Sequence, residues 1–306
     1  EVVQVTPLID KLVVRQPTLA MCRISADLCI RMSITPFSSL TLQAPGYLKE
    51  MGLDAYEYEA GSGLTASLQT LTAIGEKAKE HNIKMSLHTP YFISLSSVEE
   101  EKRLKSVEYL RQNGKGADAL GAEVMVVHTG SAAKISREQA MAYATQTLVL
   151  VEQMLIEEGI KAKVGLETMG KVNQLGTLDE VLTLCKLSKR FVPVIDFGHM
   201  NARELGSIQT EDDYKRIFDR IAEELDPEYV ENLHCHFSKI EYTNMGEKKH
   251  LTFADSQFGP SPEILMKVIA ELGISPTIIC ESAGTMDIDA LAMKRSYMEY
   301  ETKYKK

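Results

Sequence analysis

Six of the seven histidines, His88, His128, His199, His234, His236 and His250, fall at or just beyond the ends of short apolar runs. Acids occupy matching positions. Val124-Met-Val-Val-His128-Thr-Gly-Ser131 shows the pattern most plainly: a Val-rich run ends in an imidazole and turns at once. The same ending recurs at Ser86-Leu-His88, Gly165-Leu-Glu167, Val194-Ile-Asp196 with His199 close behind, His234-Cys-His236 and Ile279-Cys-Glu281. Only His81 lies elsewhere, in a helix-capping stretch. Buried carboxylates are expensive unless neutralised. Carboxylates grouped with neutral imidazoles suit divalent cations such as zinc or manganese, and the scarcity of thiolates argues against a structural zinc. His234 and His236 share a strand face by the two-residue period, so either could reach such a site. Position slightly favours His236, which is nearer the following loop.

Residues so far apart in sequence need a scaffold that gathers them. Candidate strands cover 29–34, 54–58, 84–88, 123–128, 163–167, 192–196, 232–237 and 277–281, with amphipathic helical stretches such as 64–80 between them. Gly or Asn closes several helices, at Met51-Gly52, His81-Asn82, Leu120-Gly121, Glu158-Gly159 and Leu272-Gly273. Eight strands, each followed by a helix, predict an α/β chain folded as a (β/α)8 TIM barrel. An open doubly wound sheet is the competitor, but the Gly-rich phosphate loop it normally carries after its first strand is not found. The strand ends of a parallel barrel converge on one face, which would bring the imidazoles and acids together. No composition break divides the chain, so residues 24–306 are expected to form a single barrel domain. Residues 1–23 are an N-terminal extension to which no role is assigned.

Composition sets outer limits. The 306 residues are 44% hydrophobic and 25% charged, ordinary for a globular protein. No apolar run approaches the roughly 18 residues of a membrane span, and no secretory signal is legible. The five cysteines are an odd number without a CxxC pair, which predicts buried, reduced thiols in a cytoplasmic protein. A net charge of −9 argues against a broad basic surface, so any nucleic acid would be held through cations and a locally positive cleft. No large exposed apolar stripe commits the chain to oligomerise, which favours a monomer.

The motifs resemble endonuclease IV, the family-two apurinic/apyrimidinic endonucleases within the xylose isomerase-like barrel group, from about residue 41 to 281. His88-Thr-Pro-Tyr-Phe-Ile-Ser-Leu is similar to the family's H-x-P-Y-x-I-N-L, and His128-Thr-Gly-Ser is similar to its H-P-G-S. Glu167, Asp196-Phe-Gly-His199 and Cys280-Glu281 follow in the family's order. The resemblance implies a cluster of two or three zinc ions, with manganese as the other candidate. His88, His128 and Glu167 would hold one ion. Glu167, Asp196, a strand-seven histidine and Glu281 would hold the second, and His199 with His250 the third. The family's H-x-N-D-x-K fits His234 with Lys239, so the resemblance favours His234 over His236. Glu281 or Glu167 would orient the attacking water, Tyr91 would wedge into DNA, and Lys239 and Lys248 would meet substrate.

Three features depart from the family. Lys248 stands where an Asp-x-His pair would place its acid; either Glu247 or Asp255 replaces it, or the third site is weak or empty. His236-Phe237 replaces Asn-Asp, and Glu167-Thr-Met-Gly replaces E-N-T-x-G. The resemblance implies a metal-dependent hydrolase that cuts DNA 5′ to abasic sites. The alternative is a sugar isomerase or epimerase using one manganese or cobalt ion at Glu167, Asp196, a strand-seven histidine and Glu281, with two carboxylates moving a proton beside a carbonyl. A third is a metal- or sugar-binding barrel without catalysis. His88 together with His128 separates the first two, because a one-metal epimerase has no necessary use for both.

Overall fold

A computed structural model describes residues 23–24 and 37–304, with side chains from residue 41 onward. The candidate strand at 29–34, residues 1–22, Cys22 and Cys29 lie outside the described residues. Strands and helices alternate along the rest: β1 (Arg23–Ile24), α1 (Phe37–Glu50), β2 (Ala55–Glu59), α2 (Leu68–Glu80), β3 (Lys84–His88), α3 (Glu100–Leu120), β4 (Val124–His128) and α4 (Arg137–Glu157). Then come β5 (Lys163–Glu167), α5 (Leu178–Cys185), β6 (Phe191–Asp196), α6 (Phe197–Arg203), α7 (Glu211–Glu224) and α8 (Pro227–Glu231). The chain continues through β7 (His234–Phe237), a hairpin of β8 (Ile240–Thr243) and β9 (Gly246–His250), α9 (Pro262–Leu272), β10 (Thr277–Cys280) and α10 (Met286–Tyr304).

Eight parallel strands make one sheet in the order β1-β2-β3-β4-β5-β6-β7-β10, with helices outside it: a (β/α)8 TIM barrel. The strands are short and rich in Val, Ile and Leu because both faces are covered, the inner by the barrel interior and the outer by helices. Met125, Val126 and Val127 of β4 are all buried, as are Ile278, Ile279 and Cys280 of β10. Serine and threonine caps fix where helices begin. Ser67 accepts from Thr70 N, so α2 starts at Leu68 rather than at 64, and Thr177 forms a capping box with Glu180. Gly121 and Gly273 take left-handed φ of 68° and 67°, ending α3 and α9 where the sequence placed their stops.

The loop after β7 differs from expectation. Residues 240–250 form the antiparallel hairpin β8–β9, where a helix directly after the strand was expected. It joins the segment after β5, through a Lys171–Gly246 bridge and bonds from Val172 N to Met245 O and Glu247 N to Gly170 O. Gly246 has φ 85°, and a Cβ there would lie 2.1 Å from Gly170 O, so only glycine allows so close an approach. Cys185, Cys235 and Cys280 are free and buried, and burial pushes the Cys280 thiol up to about 12. Among the described residues no helix is long and apolar enough to cross a membrane.

Candidate metal centre

Strand pairing delivers the acids and imidazoles at matched heights. His128 lies beside Glu167 in register, and Asp196 beside His236. At the rim, Glu167 is the hub. Its Oε2 lies 3.3 Å from His88 Nε2 and 3.2 Å from His128 Nε2, while its Oε1 lies 2.9 Å from His236 Nδ1. His236 Nδ1 is also 3.0 Å from Glu281 Oε1. Asp196 caps α6, its Oδ1 accepting from His199 N at 2.7 Å, and its Oδ2 stands 3.2 Å from His199 Nδ1. Beyond it, the Glu247 carboxylate lies 3.5 Å from His199 Nε2 and 3.8 Å from His250 Nε2.

These contacts resolve into three adjoining groups whose ligand atoms lie within 4.8 Å of one another: His88–His128–Glu167, Glu167–Asp196–His236–Glu281 and His199–His250–Glu281. Two atoms that are each about 2.1 Å from one tetrahedral cation sit about 3.4 Å apart, close to the separations found. Asp196 Oδ2 is buried without a hydrogen-bond partner, as an oxygen facing a cation would be. The imidazoles are held for the task. His88 Nδ1 lies 2.9 Å from Thr89 O and His199 Nδ1 lies 3.0 Å from Thr168 O. An N–H donated there leaves each Nε2 lone pair facing the carboxylates. The side-chain clusters could therefore bind metal ions.

Electrostatics of the protein alone agree with that need. Burial drives the Glu167 carboxyl up, but the charge of His236 and hydrogen bonds from His128, His199 and His236 outweigh it and hold Glu167 well below the carboxylate range. Asp196 is raised by burial and by Glu281 and Glu167, against the pull of His199 and His236. Burial would lower the His199 imidazole, yet Asp196, Glu167 and Glu247 push it up to about 10. Burial lowers His128 despite the Glu167 contact. Too many carboxylates share too little water here, and positive charge must come from protons or cations.

Of the nine residues expected to be ligands, eight meet in these three groups. His234 does not. Its Nε2 donates to Glu57 Oε2 at 3.0 Å, deeper in the barrel, and His236 occupies the position for which the resemblance favoured His234. Lys239, the lysine of that motif, is engaged away from the cluster. Its ammonium donates to the carbonyls of Phe253 and Asp255 at 3.0 and 2.5 Å, tying down the chain after the hairpin. Lys248 does not replace the missing acid either, since its Nζ pairs with Glu241 at 2.5 Å. The acid is Glu247. Asp255 instead accepts from Gln257 N and Phe258 N in a turn. Tyr91 is 55% exposed at the rim, its ring centroid 5.5 Å from both His88 and His128.

Glu57 was not foreseen. It is fully buried on β2, beside Ser86 in register, and touches both strand-seven histidines. Burial raises its carboxyl, but the charge of His236 and the hydrogen bond from His234 hold it well below the ordinary range. The available signal was the alternation Tyr56-Glu57-Tyr58-Glu59, which in a barrel strand puts both acids on one face and both tyrosines on the other.

Residues 45–295 match the pattern of the xylose isomerase-like TIM barrel family. The chain belongs to that family. Within it, an uncharacterized protein of Methanocaldococcus jannaschii is 29% identical over 259 residues, 84% of this chain and 92% of the relative. A protein named Probable endonuclease 4 from Pediococcus pentosaceus is 30% identical over 154 residues, 48% of each chain. Two solved structures share the fold. Endonuclease IV from Thermus thermophilus superposes with TM-score 0.66 at 18% identity, covering 92% of this chain and 98% of that one. A D-tagatose 3-epimerase-like protein superposes with TM-score 0.63 at 21% identity, covering 83% and 91%. Nuclease and epimerase names thus both occur on this fold, and the choice between them falls to the site.

Proposed function

We propose that this xylose isomerase-like barrel is a zinc-dependent phosphodiester hydrolase that cuts DNA 5′ to abasic sites, in the manner of endonuclease IV. The observation that carries the proposal is the convergence of His88 and His128 on one oxygen of Glu167, beside a four-residue group that already suffices for one cation. A one-metal epimerase would leave that pair without work. Glu247 supplies the acid for a further position with His199 and His250. The partial likeness to Probable endonuclease 4 adds support.

Bound zinc would polarise the phosphodiester, lower the pKa of a bound water and stabilise the leaving alkoxide. The chain's own residues set that stage. Glu167 spans two adjoining groups with its two oxygens and so fixes their spacing. Glu281 belongs to two groups as well, and its carboxylate orients the attacking water. Tyr91, tilted against the His88 and His128 imidazoles and exposed beyond them, would fill the space left by a missing base.

The epimerase alternative has one specific observation behind it: Glu167, Asp196, His236 and Glu281 form a complete single-cation set with two carboxylates available for proton transfer. Metal analysis of protein purified without chelators, followed by incubation with a duplex carrying one abasic site, separates the two. Two or three equivalents of zinc and incision 5′ to the lesion, reduced at least about a hundredfold in Glu281→Gln, are expected. One equivalent of manganese with no incision under any metal would hand the site to sugar chemistry.

A further inference from the structure

A buried carboxylate needs its hydrogen bonds completed, or it costs several kcal/mol. Glu57 has no exposed surface, and one of its oxygens is well served. Oε2 accepts from Ser86 Oγ at 2.8 Å and from His234 Nε2 at 3.0 Å. Oε1 has no hydrogen-bond partner, and neither does His236 Nε2, although the two atoms lie 3.1 Å apart. An acceptor and a ring nitrogen, each short of one bond, face each other at contact distance. A hydrogen bond between them would satisfy both.

The other side of the same ring matters to the centre. His236 Nδ1 points at Glu167 and Glu281, 2.9 and 3.0 Å away. An imidazole can offer a lone pair from Nδ1 only when its proton sits on Nε2. His88 and His199 meet this condition in mirror image, each with a backbone carbonyl beside Nδ1. His236 is within a strand, and the atom beside its Nε2 is a carboxylate oxygen from the opposite side of the barrel.

We propose that Glu57 is a positioning residue for the metal centre. It accepts Nε2–H of His236 and so keeps the Nδ1 lone pair aimed at the cation shared with Glu167, Asp196 and Glu281. Ser86 and His234 anchor Oε2, which leaves Oε1 turned toward His236, so His234 acts two steps back from the cation. Glu57, His234 and His236 are also close enough to hold an ion of their own. Against that, His234 Nε2 and Glu57 Oε2 are already spent on each other with good hydrogen-bond geometry.

The inference rests on the metal-holding half of the proposed function and not on its DNA half. The test is zinc affinity by chelator competition, with thermal melting of the chelated protein alongside. Glu57→Gln is expected to weaken the tightest zinc by about ten- to a hundredfold. In a His236→Ala background the same change should shift affinity less than about twofold, because Glu57 works through that ring. An equal loss in both backgrounds would make Glu57 a direct ligand and overturn the proposal. So would unchanged affinity with a lower melting temperature, which marks a merely structural carboxylate. Should Glu57→Gln not fold, ¹⁵N-histidine spectra of zinc-loaded wild type decide: a protonated Nε2 on His236 supports the role and a protonated Nδ1 refutes it. Wild type that takes up no zinc removes both proposals, whereas intact zinc effects without incision of abasic DNA remove only the substrate.

Discussion

An imidazole hemmed in by carboxylates stores a proton until a cation displaces it. His199 and His236 are in that position. Burial opposes their charge, but Asp196, Glu167 and Glu247 push His199 up to about 10, and Glu57, Glu281 and Glu167 raise His236 well above its usual value. Both are therefore expected to favour the protonated form in the metal-free protein. Zinc uptake at pH 7 is expected to release about two protons, since a ligand must give up its proton to bind. Calorimetry in buffers of different ionisation enthalpy reads that number, and an enthalpy independent of buffer would refute it. The same shifts bear on stability. A folded-state pKa raised above the unfolded value of about 6.5 contributes stability that is complete below about pH 6.5 and fades as pH climbs toward about 10. Chelated protein should accordingly melt at progressively lower temperature from pH 7 to pH 10. A flat profile would mean the imidazoles are neutral throughout.

At the scale of elements, the hairpin β8–β9 decides what the third cation position can be. Plain alternation would put Glu247 and His250 on opposite faces of β9. Pairing runs Glu241 with Lys249 and then Tyr242 with Glu247, so Lys248 is the extra residue of a bulge. That single insertion turns Glu247 and His250 to the same side, and Lys248 outward to Glu241. Glu247→Ala should lower the zinc count by one, while Lys248→Ala leaves the count unchanged. An unaltered count in Glu247→Ala would show that this carboxylate has no part in the site. Gly246→Ala, forced against Gly170 O, should weaken the same ion before the other two and cost about 1–3 kcal/mol, measured by metal analysis and thermal melts. The bulge was illegible in the sequence because register belongs to the pairing of two strands, and an Asp-x-His spacing applied to 248 and 250 assumes there is none. The parallel strands were legible for the opposite reason. β3 and β5 fall where their apolar runs end in His88 and Glu167, since a buried strand writes its own pattern. His236 over His234 and the inward Glu57 depend on height within the barrel, which only cross-strand register fixes.

For the molecule as a whole, the proposed substrate and the net charge of −9 are at odds unless the centre itself provides the attraction. Glu57, Glu167, Asp196, Glu247 and Glu281 gather beneath one rim, and without cations their field would repel a phosphodiester. Two or three divalent cations would reverse the local sign while the outer surface stays acidic. DNA-binding proteins that rely on many lysine and arginine contacts lose affinity steeply with salt, the logarithmic slope tracking the number of phosphates neutralised. If the metal centre supplies the attraction, few phosphates would meet side-chain cations, so the slope should be shallow, about 3 or less in magnitude, and nearly all affinity should depend on metal. Fluorescence anisotropy of a duplex with one abasic site and a non-hydrolysable linkage on its 5′ side, titrated with the wild-type protein, measures both quantities. Loading with zinc is expected to tighten binding at least about tenfold over the chelated protein, a coupling of about 1.4 kcal/mol. Tight binding by chelated protein with a steep salt slope would instead locate the DNA contacts on a basic surface away from the cluster, and the metal-centred account of substrate recognition would fall.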